Sequence, residues 1–245
     1  GMERSPDGAI GDLLSGQSTR IGGALSNWRQ SEAIRSNSWS DMEWQLRRWL
    51  FTTWASGDFI TEQHVHNLDL VDWLMGGHPI KAIGSGGRHN RTDSIYPNVW
   101  DHISVEYEYA NGARVTHIGS QIDGVSSRND LRVDGTEGRL FLSFAKVSIE
   151  GKNPFKYDGP HVNPAVQEYK DTLDAIRSGN TITEGKRIAQ STMTAILGRM
   201  AAYTGRNISW DWAMNASKLD LTPKDWSWHD YPLAPVAVPG KTKLI

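Results

Sequence analysis

The order of periodicities along this chain predicts an α+β domain: a mostly antiparallel, open sheet with helices packed on one face. Two observations carry that expectation. Alternating apolar and polar segments joined by short turns follow one another through the middle of the chain, as sequential antiparallel hairpins do. Helical patterns lie before and after this block, so the helices gather on one face and leave the other to solvent or a partner.

Taken in order, 1–7 reads as a leader or tag remnant, with Gly1 ahead of Met2. The segment SPDGAIGDLLSG is a glycine-broken entry followed by a short strand, and 22–40, rich in Gly, Asn and Ser, reads as loop. Ser40 and Glu43 have capping-box spacing, which predicts a short helix over about 41–50. After a break at 57–59, one helix is expected from about Ile60 to Met75, with Val65, Leu68, Val71 and Met75 on one side and Leu70 and Leu74 on its flank. The stretch GGHP ends it. IKAIGSGG follows as a strand running into a glycine turn. ISVEYEY, ANG and ARVTHIGSQI form the clearest hairpin; NDLRVDGTEGRLFLSF is a second, and KVSIEG adds an edge. Helices are expected over about 164–177 and 184–204, the latter closing on Gly205. The domain thus runs over 8–220, and the Pro-rich 221–245 is an extended arm.

The bulk composition excludes several function classes. The 245 residues suffice for a proper core, and 38% hydrophobic with 22% charged residues is ordinary for a globular protein. A net charge of −2 offers no basic face to nucleic acid or anionic lipid. The absence of cysteine removes disulfides, thiolate nucleophiles and Cys-based metal sites. No apolar run is long enough to span a membrane, and the first residues lack the pattern of a signal peptide. These points favour the cytoplasm, with the periplasm left open should a leader precede this sequence.

The chemistry concentrates in EQHVHNLD, residues 62–69. On a regular helix Glu62, His66 and Asp69 fall within about 60° of arc, while His64 points about 160° away from His66. Three readings stand: a metal cage on His64 and His66, an acid–base pair, or the solvated stripe of an ordinary helix. The metal cage needs strand geometry. A histidine with a carboxylate one turn away suits proton transfer with a substrate hydroxyl. Around it, Trp54 belongs to an unusually large set of eleven tryptophans, whose indoles stack on sugars or fill cores, and Arg88 sits in a small basic loop able to touch a polyhydroxy ligand. GSGG at 84–87 lacks the third glycine of a dinucleotide loop, since His89 stands in its place.

With these motifs quoted, the sequence resembles the glucose–fructose oxidoreductase/inositol dehydrogenase/MocA family. GDFITEQHVHNLDLVDWLMGGHP is similar to its D-x-x-x-H-x-x-D helix, with Glu62 for the aspartate and His66 and Asp69 matching the histidine and the last acid. DHISVEYEYANGARV, VDGTEGRL and EGKRIAQSTMTAILGRMAAYTG resemble its hairpin, its G-T-x-G turn and its closing helix. The resemblance implies a sheet-and-helix domain like the C-terminal domain of glyceraldehyde-3-phosphate dehydrogenase. It also implies an NAD(P)-dependent oxidoreductase of sugar, polyol or glycoside hydroxyls and ketones. Glu62 and His66 would be catalytic; Asp69 would bind substrate, with Asp58, Trp54 and Arg88 as neighbouring candidates. The family's sheets pair face to face, which implies a homo-oligomer through the open face. Its Rossmann domain and E-K-P lysine have no counterpart here, so NAD or NADP belongs to a full-length protein, and neither bound cofactor nor turnover is expected of this chain alone. Asp58 stands where the family usually has glycine. A same-family glycoside hydrolase and a stand-alone sugar-binding or assembly module are the alternatives.

Overall fold

A computed structural model describes residues 8–25, 35–159 and 162–245 of the chain. The expected leader 1–7 and residues 26–34 of the expected loop 22–40 lie outside the described residues.

The first strand, β1 (Leu13–Gly22), is followed by α1 (Asp41–Arg47), where the Ser40 hydroxyl accepts from Glu43 N at 3.2 Å as the capping spacing predicts. A 3-10 turn at Trp49–Phe51 and the short helices α2 (Thr53–Ser56) and α3 (Asp58–Glu62) lead into α4 (Val65–Met75). Gly76, with φ 74°, ends α4 in the left-handed conformation that a Cβ disfavours. The strands β2 (Lys81–Gly87), β3 (His102–Glu108), β4 (Arg114–Gln121), β5 (Arg128–Gly135), β6 (Gly138–Ser143), β7 (Val147–Gly151) and β8 (Phe155–Lys156) follow. Two helices, α5 (Pro164–Ser178) and α6 (Gly185–Thr204), the short β9 (Ile208–Ser209) and α7 (Trp210–Asn215) complete the elements.

The nine strands among the described residues join one sheet in the order β8-β7-β6-β5-β1-β4-β3-β2-β9. Consecutive strands from β2 to β8 pair as hairpins wherever they are neighbours, but β1 inserts at the centre, parallel to β4 and antiparallel to β5. The sheet is therefore mixed. Local alternation marks a strand but not its distant partner, which is why β1 showed as a strand without a place.

One sheet face is covered. Leu68, Val71 and Leu74 of α4 and Leu197, Ala201 and Ala202 of α6 pack on Val105, Tyr107, Val115, Leu131, Val133 and Leu140. Each fully buried Leu or Val contributes about 1.5–3 kcal/mol relative to exposure. GSGG corrects an expectation here: it is no turn but the inside of β2, paired with Val105, Ser104, Ile103 and His102. A Cβ at Gly84 would stand 3.2 Å from the Ala202 side chain and 2.8 Å from Ser104 O, so glycine there lets α6 lie against the strand.

The opposite face carries ladders of charge, among them Glu106 and Glu108 with Arg114, and Asp134 with Arg132 and Arg139. Helix α5 buries no residue, and its Val166, Tyr169, Leu173 and Ile176 are exposed. The C-terminal segment is held on the domain: Asn98 Nδ2, Trp100 Nε1 and Gln45 Nε2 donate to the carbonyls of Ala234, Ala237 and Tyr231. Among the described residues, no helix is long and apolar enough to cross a membrane.

Candidate functional site

The helix expected from Ile60 to Met75 is broken. His64 N and Gln63 N both donate to Phe59 O at 3.0 Å, so the turn between α3 and α4 holds one residue more than an α-helix allows. That residue turns α4 by about 100° relative to α3, and Glu62 and His66 no longer share one regular helical face. The physical reason lies across the sheet. The His64 ring is driven inward over Gly119, where a Cβ would come within 2.5 Å of its Nδ1.

The polar residues of 62–69 then separate. His64 is fully buried, its Nδ1 3.0 Å from His117 Nε2, while His117 Nδ1 lies 3.0 Å from Ser18 Oγ. Burial, and then the neighbouring His117, hold the His64 pKa well below its ordinary value; burial pushes His117 down to about 3. Both rings are neutral, and His64 Nε2 has no partner. Gln63 accepts from Gln121 Nε2 at 2.8 Å, and Asn67 donates to Asn129 Oδ1 at 2.9 Å. Arg20, from the inner face of β1, donates to Gln63 O and Asn67 Oδ1. A polar layer therefore lies between α4 and the sheet centre.

On the outside, His66 is exposed and makes no hydrogen bond to a described residue. Glu62 is half-buried with its Oε2 buried and unpartnered, and burial raises its pKa against the opposing pull of Arg20 and Arg91. Asp69 does not stand free: Arg187 pairs with both its oxygens at 2.5 Å and Ser191 Oγ donates to it at 2.5 Å, tying α4 to α6.

The other three candidates lie elsewhere. Asp58 is buried at 1% exposure, and its carboxylate accepts from Phe59 N, Trp100 N and the Tyr203 hydroxyl. Burial raises its pKa. Its φ of 67° is the left-handed region, which accounts for the glycine that the resembling motif carries there. Trp54 donates to Gln45 Oε1 and faces the C-terminal arm. Arg88 donates to the carbonyls of Pro97, Asp93 and Tyr96 and so clamps its own loop.

Arg20, Gln63, Asn67, His117, Gln121 and Asn129 went unnoticed in the sequence. A signal existed for two: His117 and Gln121 occupy the inward positions of β4, in step with the buried Val115.

Residues 5–141 match the family described as the GFO/IDH/MocA C-terminal domain. A search of curated proteins returns no match to the chain. Among solved structures, the aldose-aldose oxidoreductase from Caulobacter crescentus complexed with glycerol superposes with a TM-score of 0.63 at 17% identity, covering 85% of this chain and 58% of that one. A levoglucosan dehydrogenase in complex with NADH and levoglucosan gives 0.62 at 16%, covering 85% and 61%. The WlbA dehydrogenase from Bordetella pertussis in complex with NADH and UDP-GlcNAcA gives 0.58 at 14%, covering 85% and 57%. The present chain thus spans about three-fifths of the length of these relatives. At such identities the likeness is one of fold, and with more than half the chain matched by the family itself, this protein belongs to the GFO/IDH/MocA C-terminal domain family.

Proposed function

We propose that this chain is the substrate-binding and catalytic part of an NAD(P)-dependent oxidoreductase acting on a hydroxyl or ketone of a sugar, polyol or glycoside. One observation carries the reading: at the edge of α4 an exposed, unbonded imidazole, His66, follows a carboxylate, Glu62, whose Oε2 is buried without a partner. The Glu62 carboxylate is only half-buried as a whole and has no hydrogen-bond donor among the described residues, and a substrate hydroxyl at its open side would supply one. His66 takes the hydroxyl proton, and Glu62 orients the imidazole or the hydroxyl. Asp69, braced by Arg187 and Ser191, closes the substrate side with one oxygen edge.

The residues present do not fit a dinucleotide by themselves. Gly84–Gly87 is paired strand, so its amides are not free to cradle phosphates. The cofactor therefore belongs to another domain or chain, and these 245 residues alone are expected to show no turnover. The charged, solvent-facing side of the sheet is the surface through which copies associate.

The test is a panel of polyols, aldoses and glycosides assayed with NAD and NADP on the protein translated together with its upstream coding sequence. Reduced cofactor accumulating with one of these substrates supports the reading. A protein that binds the sugars but never reduces or oxidises the cofactor removes it and favours a binding module; sugar released from a glycoside without net reduction favours glycoside cleavage.

A further inference from the structure

A cavity that neither Glu62 nor His66 lines opens between α2, the end of α6 and the C-terminal arm, with a volume of about 770 Å³. That is the size of a small-molecule site. Its walls are aromatic and aliphatic: Trp54 from α2, Met200 and Tyr203 from α6, and Tyr231, Pro235 and Val236 from the arm. Trp54 meets Trp226 and Tyr231 edge-on, with ring centroids 5.9 and 6.4 Å apart, so the indole is fixed from the arm side. Tyr203 is fixed by its bond to Asp58.

One lining residue does not suit an apolar cavity. Arg199, one turn before Tyr203 on α6, is 6% exposed and has neither a hydrogen bond nor an ion pair with any described residue. Its charge is answered only at longer range by Tyr203 and Asp58, and Asp58 already faces Arg91. Its side-chain nitrogens keep some exposure toward the cavity, and a guanidinium that stays charged without a protein acceptor among the described residues calls for one from the cavity side. The acidic lining residues do not reach it: Asp220 and Asp225 are exposed and accept from Thr222 N and Ser227 N at 2.9 Å in their own turns. Lys224, Lys241 and Lys243 add positive charge to the rim.

We propose that this cavity binds a small organic carboxylate with a flat apolar body, its carboxylate paired with the Arg199 guanidinium and its body held by Trp54, Tyr203 and Tyr231. A planar fork of donors matches a carboxylate in two parallel bonds. The three lysines are exposed at the rim, so the one buried cation among the described lining residues is the guanidinium, which suits one negative charge better than the two of a phosphate monoester. The site stands apart from hydroxyl chemistry at His66, and binding is read without turnover, so it survives or fails separately from the proposed function.

Calorimetry and thermal shift on the 245-residue chain, with 2-naphthoate as probe, test this. The neutral isostere 2-naphthamide is expected to bind about ten-fold more weakly or worse, as loss of a charge-assisted pair requires. In Arg199→Met the preference disappears, and the unliganded variant melts no lower than the parent because a buried, unpaired charge has gone. Equal affinity of the parent for acid and amide, no binding of either, or an undiminished preference in Arg199→Met would each overturn the proposal. Tighter binding of 2-naphthyl phosphate than of the carboxylate would overturn the assigned class. The acid–amide comparison needs no variant, so it decides the matter even if Arg199→Met does not fold.

Discussion

His64 and His66 are two residues apart and chemically identical, yet they live in different worlds. His64 is sealed beneath α4 against His117 and Ser18, its proton affinity suppressed by burial. His66 stands in solvent four residues after Glu62, a half-buried carboxylate whose Oε2 has no partner among the described residues. The inner histidine holds structure and is kept from protonation by burial; the outer one is exposed and holds nothing among the described residues in place. The difference teaches that a cluster of titratable residues in sequence is no site until the backbone has sorted it by face.

Substitutions sharpen that contrast. On the proposed function, His66→Gln should lower kcat of the protein carrying its cofactor domain by about 10²–10⁴-fold, the usual worth of a general base. Its melting temperature should stay put. A variant that keeps its rate would move the chemistry away from α4.

Next in size is Gly119→Ala, aimed at the inner histidine. Its Cβ would stand 2.5 Å from His64 Nδ1 and 2.6 Å from His64 Cε1. Both atoms are buried and one is bonded, so the cost should be about 1–3 kcal/mol by urea denaturation. An unchanged midpoint would mean that His64 does not pack there.

Acid titration distinguishes the inner layer from everything outside it. His64 and His117 have depressed pKa values, that of His117 falling from 6.5 to about 3. Below 6.5 the unfolded chain takes up protons that the folded chain refuses, so this stability is full above that pH and drains away toward pH 3. Asp72 acts the opposite way. Burial raises it from 3.8 to about 7 between Thr194 and Tyr109, so its contribution is full below 3.8 and is lost as pH rises to about 7. Urea midpoints of His117→Gln should therefore fall less on acidification than the parent's, and those of Asp72→Asn should fall more. Parallel curves for all three proteins would remove both assignments.

The smallest effect belongs to the outer rim. Arg187→Ala breaks an ion pair with Asp69 whose partners are 46% and 28% exposed, and should cost at most about 1 kcal/mol. If Asp69 bends toward substrate, KM should change more than stability does.

Much of the fold could be read directly from the chain, because its signals are local. Ser40 and Glu43 announced α1, the alternation around Ala110–Gly112 announced the β3–β4 hairpin, and Gly205 announced the end of α6. The family motifs likewise singled out Glu62, His66 and Asp69. The extra residue at Gln63–His64 was invisible, because nothing in the apolar spacing of 60–75 reveals that Gly119, more than fifty residues later, leaves room for a ring. The same holds for Asp58, which its sequence context offered as a ligand and which Trp100 and Tyr203 enclose.

By itself, then, the sequence determined most of the elements, their order, the covered and open faces of the hairpins, and the segment on which the proposed chemistry rests. Tertiary structure alone decided that β1 enters the centre of the sheet, that His64 turns in while His66 stays out, and that Arg199 lines a cavity without a partner among the described residues. The first group depends on periodicity and capping, which act over a few residues. The second depends on contacts between residues far apart in the chain, where the space left by one side chain fixes the direction of another.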